Sequence, residues 1–343
     1  MSARFVMLGQ HPRATGCMQV YELEGADAKL VKEVERPSGL KCGTFGASGL
    51  SDAQLAAGGF DGRLSIHDVE RLDAAPVFDA KAHASIINCV DGAGGPRRGY
   101  GAPEVATAGR DGRVCVWDPR QKDVPVASFE PSSAGGADAA GGGAAAAPSR
   151  DCWCVAFGGS YNDSERSVLA GYDNGDVKLF DLRFGKVRWE TNVQNGVCGV
   201  EFDRKDIEMN KAAVTCLESQ FHVFDLRTHH PEKGHAGVTE RLDKGATVWG
   251  VRHLPQNRDV FVTLGGDGAA SIYKYEYPDQ RRLKDAEGRP YGVAGKLTSV
   301  ARHPIASQPI ASWDWSPDKE GLAVCTAFDQ ALRILICTKL NLV

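Results

Sequence analysis

The chain has 343 residues, of which 42% are apolar and 24% are charged, so it has enough apolar surface to build a globular core. Forty basic and 44 acidic residues leave a net charge of −4, which disfavours binding to nucleic acid or to anionic lipid. Ten cysteines are too few for a disulfide scaffold, and no apolar run is long enough for a bilayer span or a signal peptide. We therefore expect a cytoplasmic, reducing location with free thiols.

One pattern recurs along the chain: an alternating apolar strand, an Asp-Gly-like turn, a second alternating strand, and an aromatic residue followed by an acid. The clearest copy is PEVATAGRDGRVCVWDPR, residues 103–120. Asp-Gly pairs supply the positive backbone angles of a tight turn, and alternating flanks place every second side chain on one face, so each copy predicts a β-hairpin. In chain order the seven copies span residues 4–23, 54–70, 103–120, 167–183, 212–227, 260–275 and 321–336.

Further strands lie between the hairpins. Inner-strand candidates, rich in Cys, Gly and Ala, lie at 41–46, 86–92, 153–158, 197–202, 248–253 and 310–315; outer-strand candidates lie at 30–36, 124–130 and 187–193. The closing positions of successive copies are 46, 50, 63, 44, 49 and 62 residues apart. Four of these intervals match the blade period of a propeller, about 40–50 residues. The chain is thus predicted to be a single all-β, seven-bladed β-propeller over residues 1–343.

Two insertions explain the two long intervals. Residues 132–149, SSAGGADAAGGGAAAAPS, carry one charge and no large side chain, which predicts a disordered loop. Residues 278–290, PDQRRLKDAEGRP, predict a charged loop between the third and fourth strands of the sixth blade. Because the repeat resumes in register after each insertion, neither is expected to separate two domains.

The two ends of the pattern are short of strands. No inner strand precedes the first hairpin, and residues 337–343 are too few to supply an outer strand for the last blade. We expect three-stranded first and seventh blades with unpaired edges, and a chain that lacks a few tens of residues at its N-terminus.

His83, Asp111 and Trp117 predict a buried hydrogen-bond network in the third blade. His83 precedes the inner strand, Asp111 lies at the hairpin turn, and Trp117 closes the hairpin. Such a network stabilises a fold when every member forms its hydrogen bonds. Gly109 stands where the hydroxyl member is expected, so the network is predicted to be incomplete. A structural role is favoured over ligand binding.

No set of residues points to catalysis, a cofactor or a metal. Cys152 and Cys154 are two apart on a predicted strand, which is the wrong spacing for a zinc knuckle. His229 and His230 have no neighbouring Cys or acid cluster and are expected to be a solvated loop pair. No Ser or Cys lies in a nucleophile elbow. We therefore predict that the protein is not an enzyme.

Basic residues follow the hairpins of blades three, four and five. Three arginines each lie two residues after a closing acid, and because equivalent turns of neighbouring blades point to one rim, they are predicted to form an arc. Guanidinium groups bind carboxylates through paired hydrogen bonds, which suits capture of an acidic partner. The alternative is that each arginine pairs with an acid of the adjacent blade. The arc and its loop neighbours comprise Arg120, Lys122, Arg183, Arg204, Lys205 and Arg227.

Seven runs resemble the Monad-type family of WD-repeat proteins, a branch of the WD40 family. They are WDPRQKD (117–123), AGYDNGDVKLFDLR (170–183), RWETN (188–192), EFDRKDIEMNK (201–211), RHLPQNR (252–258), KYEYP (274–278) and DWSPDK (314–319). The similarity extends from Phe5 to Leu340, and these runs exceed the generic WD pattern.

The resemblance implies a cytoplasmic, non-enzymatic adaptor for the assembly of axonemal dynein arms. Its implied partners are a chaperone co-complex of RuvB-like ATPases and prefoldin-like subunits, with tetratricopeptide adaptors. Its implied clients are dynein heavy chains that fold before transport into cilia. The resemblance assigns no partner-binding residues, so the arginine arc depends on the spacing argument alone.

Three other classes of function compete with this interpretation. Residues 105–120 end in Trp-Asp-x-Arg, the form that substrate receptors of cullin-type ubiquitin ligases present to their adaptor. A propeller enzyme is disfavoured because no acid, base, metal or nucleophile set converges. A nucleic-acid reader is disfavoured by the acidic net charge and by the lack of a basic stripe.

Overall fold

A computed structural model describes residues 2–25, 27–49, 52–94, 103–121, 124–130, 150–162, 164–242 and 245–342. The predicted disordered loop at 132–149 and Lys122 lie outside the described residues. The chain divides into two compact units, residues 1–157 and 158–343. No helix among the described residues is long and apolar enough to cross a membrane.

Antiparallel sheets follow one another in chain order. Sheet 1 is β1 (Ser2–Gln10), β2 (Gly16–Glu24) and β3 (Asp27–Arg36). Sheet 2 is β4 (Leu40–Thr44), β5 (Gln54–Gly59), β6 (Arg63–Asp68) and β7 (Phe78–Lys81), with a 3-10 helix at Phe45–Ala47 after β4. Sheet 3 is β8 (Ile87–Gly92), β9 (Val105–Gly109), β10 (Val114–Trp117) and β11 (Ala127–Phe129).

The later sheets repeat the same order of strands. Sheet 4 is β12 (Cys152–Gly158), β13 (Ser167–Tyr172), β14 (Asp176–Asp181) and β15 (Lys186–Asn192). Sheet 5 is β16 (Val197–Phe202), β17 (Lys211–Cys216), β18 (Gln220–His230) and β19 (Gly234–Arg241).

Sheet 6 contains an insertion before its last strand. It is β20 (Val248–Leu254), β21 (Asn257–Gly265), β22 (Ala269–Glu276) and β25 (Lys296–Pro304), with a separate pair, β23 (Arg282–Lys284) and β24 (Pro290–Gly292), between β22 and β25. Sheet 7 is β26 (Ile310–Trp315), β27 (Leu322–Ala327) and β28 (Leu332–Ile336), followed by a 3-10 helix at Leu340–Leu342.

Seven blade sheets confirm the prediction of an all-β, seven-bladed β-propeller. Sheets 1 and 7 have three strands each among the described residues, as the count of strands along the sequence predicted. All seven hairpins coincide with the predicted copies of the repeat, and every predicted inner strand corresponds to an observed strand within two residues at its ends.

The Asp-Gly turns show why the hairpins form where they do. Gly62 and Gly268 have φ of 77° and 78°, in the left-handed region that favours glycine. A Cβ there would collide with the carbonyl oxygens of Ser85 and Ala306. Asp61 and Asp267 accept hydrogen bonds from the backbone N–H two residues further on, at 3.0 and 3.1 Å. The carboxylate and the glycine therefore define each turn together.

The core of each unit is built mainly from buried apolar strand residues. In residues 1–157, Met18, Leu64, Ile66, Ile87 and Trp117 are buried, and the last four belong to a core shared by sheets 2 and 3. Burial of such side chains contributes roughly 1.5–3 kcal/mol each.

The core of residues 158–343 contains pairs of packed aromatic side chains. Phe221 and Phe261 are fully buried, with ring centroids 5.8 Å apart and nearly perpendicular planes. Trp313 and Trp315 pack edge to face at 5.0 Å in the core of sheets 6 and 7. These arrangements match the electrostatic preference of aromatic pairs.

Candidate partner interface

The predicted network of the third blade is complete. His83 Nδ1 lies 2.8 Å from Asp111 Oδ1, and His83 Nε2 lies 2.8 Å from the hydroxyl of Thr107. The indole N–H of Trp117 donates to the same hydroxyl at 3.2 Å. The prediction that Gly109 leaves the hydroxyl position empty was wrong, because the hydroxyl comes from Thr107, two residues earlier on the same strand.

The burial of this network favours a structural role. His83 and Trp117 are 2% exposed and Thr107 is fully buried, whereas the Asp111 side chain is 15% exposed. The bond from His83 and those from backbone N–H groups lower the pKa of the Asp111 carboxyl to about 2, against the opposing effect of its own burial. Asp111 therefore remains ionised and accepts hydrogen bonds throughout the physiological range.

Arg120 and Arg204 pair with acids of their own blades. Arg120, whose side chain is 69% exposed, binds both carboxylate oxygens of Asp118 at 2.7–3.1 Å. Arg204 binds Asp206 at 2.5 and 2.7 Å in the loop between β16 and β17. Lys205, in the same loop, accepts hydrogen bonds through its carbonyl from Ser160. Asp118 and Asp206 each lie in the same blade as the arginine they bind, not in an adjacent blade as the alternative interpretation expected.

Arg183 and Arg227 are more available to a partner. Arg227 donates to Asn210 at 2.9 Å and lies 3.4 Å from Glu208, again within its own blade, and its side chain is 42% exposed. Arg183 covers the ring of Phe184 at 4.1 Å from the centroid, and Phe184 is 60% exposed. An exposed aromatic ring beside a guanidinium is the composition that protein interfaces favour.

A buried ionic cluster joins sheets 5 and 6. Lys211 is fully buried, with its ammonium 3.3 Å from Asp203, 2.6 Å from Asp259 and 2.5 Å from the Tyr277 hydroxyl. Burial by itself lowers the pKa of Lys211, but the Asp203 charge and the bonds to Asp259 and Tyr277 outweigh it and raise the pKa above its ordinary value. Lys211 is therefore a buried cation.

The segment between β22 and β25, residues 277–295, is the sheet 6 insertion. It contains a short two-stranded sheet that the sequence did not predict, and it is held against sheet 5 by charged pairs. Arg281 binds both oxygens of the buried Asp225 at 2.7–3.1 Å. Arg289 donates to Glu232 at 2.7 Å and to Asp285 at 2.8 Å.

His230 contradicts the expectation of a solvated histidine pair. It is fully buried, and its Nε2 lies 3.0 Å from Asp285 of the sheet 6 insertion, whereas His229 is exposed. That bond is the largest of the effects that lower the pKa of Asp285. The partners are 55 residues apart in the chain, so no local pattern could have revealed the contact.

The described residues contain no cluster of His, Cys, Asp and Glu that could hold a metal ion. All ten cysteines are free, and six of them are buried strand residues. Burial raises the pKa of Cys198 and Cys216 to about 12, which keeps both as unreactive thiols. The described surface therefore carries exposed basic and aromatic side chains such as Arg183 and Phe184, and Cys198 and Cys216 are not reactive.

Known proteins resemble this chain over its whole length. It matches the family model described as WD domain, G-beta repeat over residues 75–118. It is 61% identical over 340 residues to dynein axonemal assembly factor 10 of Chlamydomonas reinhardtii and 54% identical to that of Homo sapiens; each alignment covers 99% of this chain and 91% of the relative. The protein of the same name from Dictyostelium discoideum is 23% identical, with 94% of this chain and 84% of the relative covered.

A solved structure shares the fold. A chain in the crystal structure of the mitotic checkpoint complex superposes with a TM-score of 0.66 at 15% identity, covering 96% of this chain and 86% of that chain. At this identity the similarity shows the propeller fold alone.

Proposed function

This chain belongs to the dynein axonemal assembly factor 10 family, and from that premise we propose that it is a non-catalytic scaffold for the assembly of axonemal dynein. The near full-length similarity to proteins of that name carries the proposal. A propeller whose exposed side chains favour binding, and whose described residues form no metal cluster, supports a role in holding other proteins together.

The proposal extends to the setting in which the scaffold acts. The protein works in the cytoplasm with a chaperone co-complex of RuvB-like ATPases, prefoldin-like subunits and tetratricopeptide adaptors, and its clients are axonemal dynein heavy chains. The family resemblance of the sequence supports these partners. The relatives do not favour a receptor of a cullin-type ubiquitin ligase, although residues 105–120 carry the Trp-Asp-x-Arg ending.

Removing the protein from a ciliated cell tests the proposal. Cilia of a null strain should lack inner and outer dynein arms, and dynein heavy chains should aggregate or decline in the cytoplasm, because their assembly is impaired. Electron microscopy of axonemes and blotting of cytoplasmic fractions measure both effects.

Rescue by the wild-type chain is the control for that strain. Purification of the rescuing protein from cytoplasm should recover chaperone subunits. Normal arm content in the null strain, or recovery of a cullin adaptor in place of the chaperone subunits, would contradict the proposal.

The basic residues at the turns are proposed to bind the partner. Replacing Arg120, Arg183 and Arg227 together with glutamate should reduce recovery of the partner and make the remaining binding more sensitive to salt, because long-range attraction to acidic groups is reversed. Arg183 and Arg227 are exposed, so their reversal should leave the thermal midpoint close to that of the wild type. Arg120→Glu faces the buried carboxylate of Asp118 and should lower that midpoint.

Two single variants sharpen this test. Arg183→Glu removes the guanidinium beside Phe184, and Arg282→Glu reverses another exposed charge, on β23, as the matched control. Arg183→Glu alone should weaken recovery. Equal recovery with the two single variants, or unfolding of the double variant Arg183→Glu/Arg227→Glu, would assign these two arginines a structural role.

A further inference from the structure

A groove lies between the outer strand of sheet 4 and the β18–β19 turn of sheet 5. Its volume is about 440 Å³, within the range of sites that bind ligands and peptide side chains. Residues 187–191 of β15 form one wall, and residues 229 and 231–234 form the other. Trp189, only 7% exposed, is part of the wall and packs edge to face on Phe224 at 5.2 Å, so its position is fixed by the core.

Two cations and two acids line this groove, and they differ in their ion pairs. The two acids on its walls are already paired, Glu190 with Lys178 at 3.5 Å and Glu232 with Arg289 at 2.7 Å. Arg188 has no ion pair or hydrogen bond among the described residues and is exposed. The ammonium of Lys233, also exposed, contacts only the ring of Tyr291, at 4.6 Å from its centroid. Arg188 and Lys233 are therefore the charged side chains of the walls that form no ion pair among the described residues.

The backbone of β15 adds a second recognition element. Among the described residues β15 pairs with β14 alone, so its other edge carries unpaired N–H and C=O groups. Such an edge is a template for one more strand from another chain. Val187, 44% exposed, offers an apolar contact on the same strand.

We propose that this groove binds an acidic, extended segment of a partner protein, which adds to β15 as a further strand and places its carboxylates on Arg188 and Lys233. Backbone hydrogen bonds to β15 would supply affinity for any extended chain, and the two cations would select acidic side chains. This inference depends on the groove alone and is independent of the proposed role in dynein assembly.

Binding of a defined peptide to the full chain tests it. The probe is a fluorescent peptide of about eight residues in which glutamate and valine alternate, so that one face is acidic and the other apolar. We expect fluorescence anisotropy to show binding that Arg188→Glu/Lys233→Glu weakens by about tenfold or more, and that weakens as salt rises from about 50 to about 300 mM. A lysine–valine peptide and a fully N-methylated acidic peptide should not bind.

Arg282→Glu/Lys284→Glu is the matched control, because it makes the same change in net charge at exposed positions of β23, outside the groove. Circular dichroism checks that each variant folds, and Arg188→Gln/Lys233→Gln replaces the double reversal if that variant does not. The proposal is overturned if the acidic peptide does not bind, if the control weakens binding as much as the groove variant, or if N-methylation has no effect.

Discussion

Replacing Asp203 with asparagine is expected to lower the free energy of unfolding by about 3–5 kcal/mol, because it removes one charge from a buried ionic cluster and leaves the others unbalanced. Asp203 is 3% exposed and accepts hydrogen bonds from Arg258 at 2.8 Å, with the buried ammonium of Lys211 at 3.3 Å. Asp259, the other acid of the cluster, has a side chain that is 30% exposed. Its single negative charge cannot neutralise both Lys211 and Arg258. Urea unfolding followed by circular dichroism measures the loss.

A double substitution separates charge imbalance from altered packing. Asp203→Asn combined with Lys211→Met leaves Arg258 and Asp259, one charge of each sign, so the double variant should be more stable than the sum of the two single losses predicts. Lys296→Met, which breaks an exposed pair with Glu276, is the control and should leave the midpoint unchanged. A wild-type midpoint for Asp203→Asn, or strictly additive losses, would show that the cluster does not hold sheets 5 and 6 together.

The repeat made the architecture predictable because local physics determines each hairpin. Asp61-Gly62 and Asp267-Gly268 specify turns through a positive φ and a carboxylate–amide bond, both of which involve neighbouring residues. Apolar residues then bury the strands, at every second position in β7 and at every position in β9 and β13. Weak copies were recognised for the same reason, since spacing and alternation survive the loss of individual consensus residues.

The candidate sites were less predictable, because their contacts join residues far apart in the chain. The hydroxyl of Thr107 reaches both His83 and Trp117, although the spacing of consensus residues placed that hydroxyl at Gly109. Lys211 opens an apolar strand, and nothing near it in the sequence indicates that Asp259, 48 residues later, neutralises it. Composition alone described residues 278–290 as a charged loop, whereas its charges are the groups that attach it to sheet 5.

Substitution of Arg281 by alanine is expected to release the sheet 6 insertion from sheet 5 and to cost about 2–3 kcal/mol. Arg281 is the only side chain shown to pair with the buried carboxylate of Asp225 in the described residues, and its guanidinium also covers the Tyr277 ring at 4.4 Å. Without it, Asp225 keeps a hydrogen bond from the backbone N–H of Arg227 at 3.0 Å but loses its counter-charge. Thermolysin, which cleaves beside apolar residues such as Leu283, should then cut residues 277–295 faster than in the wild type.

The neighbouring Arg282→Ala is the matched control, since Arg282 is exposed and removal of its charge leaves the Asp225 contact intact. Equal cleavage of Arg281→Ala and Arg282→Ala would mean that the remaining pairs hold the insertion without Arg281.

The attachment of the wild-type insertion should weaken only at low pH, because the bond from His230 and those from Arg289 lower the pKa of Asp285 below its ordinary value of 3.8. A carboxyl with a lowered folded-state pKa stabilises the fold above that ordinary value and loses its contribution as the pH falls towards the folded-state pKa. Thermolysin resistance, compared after correction for the enzyme's own pH profile, should therefore be the same at about pH 5 and about pH 7.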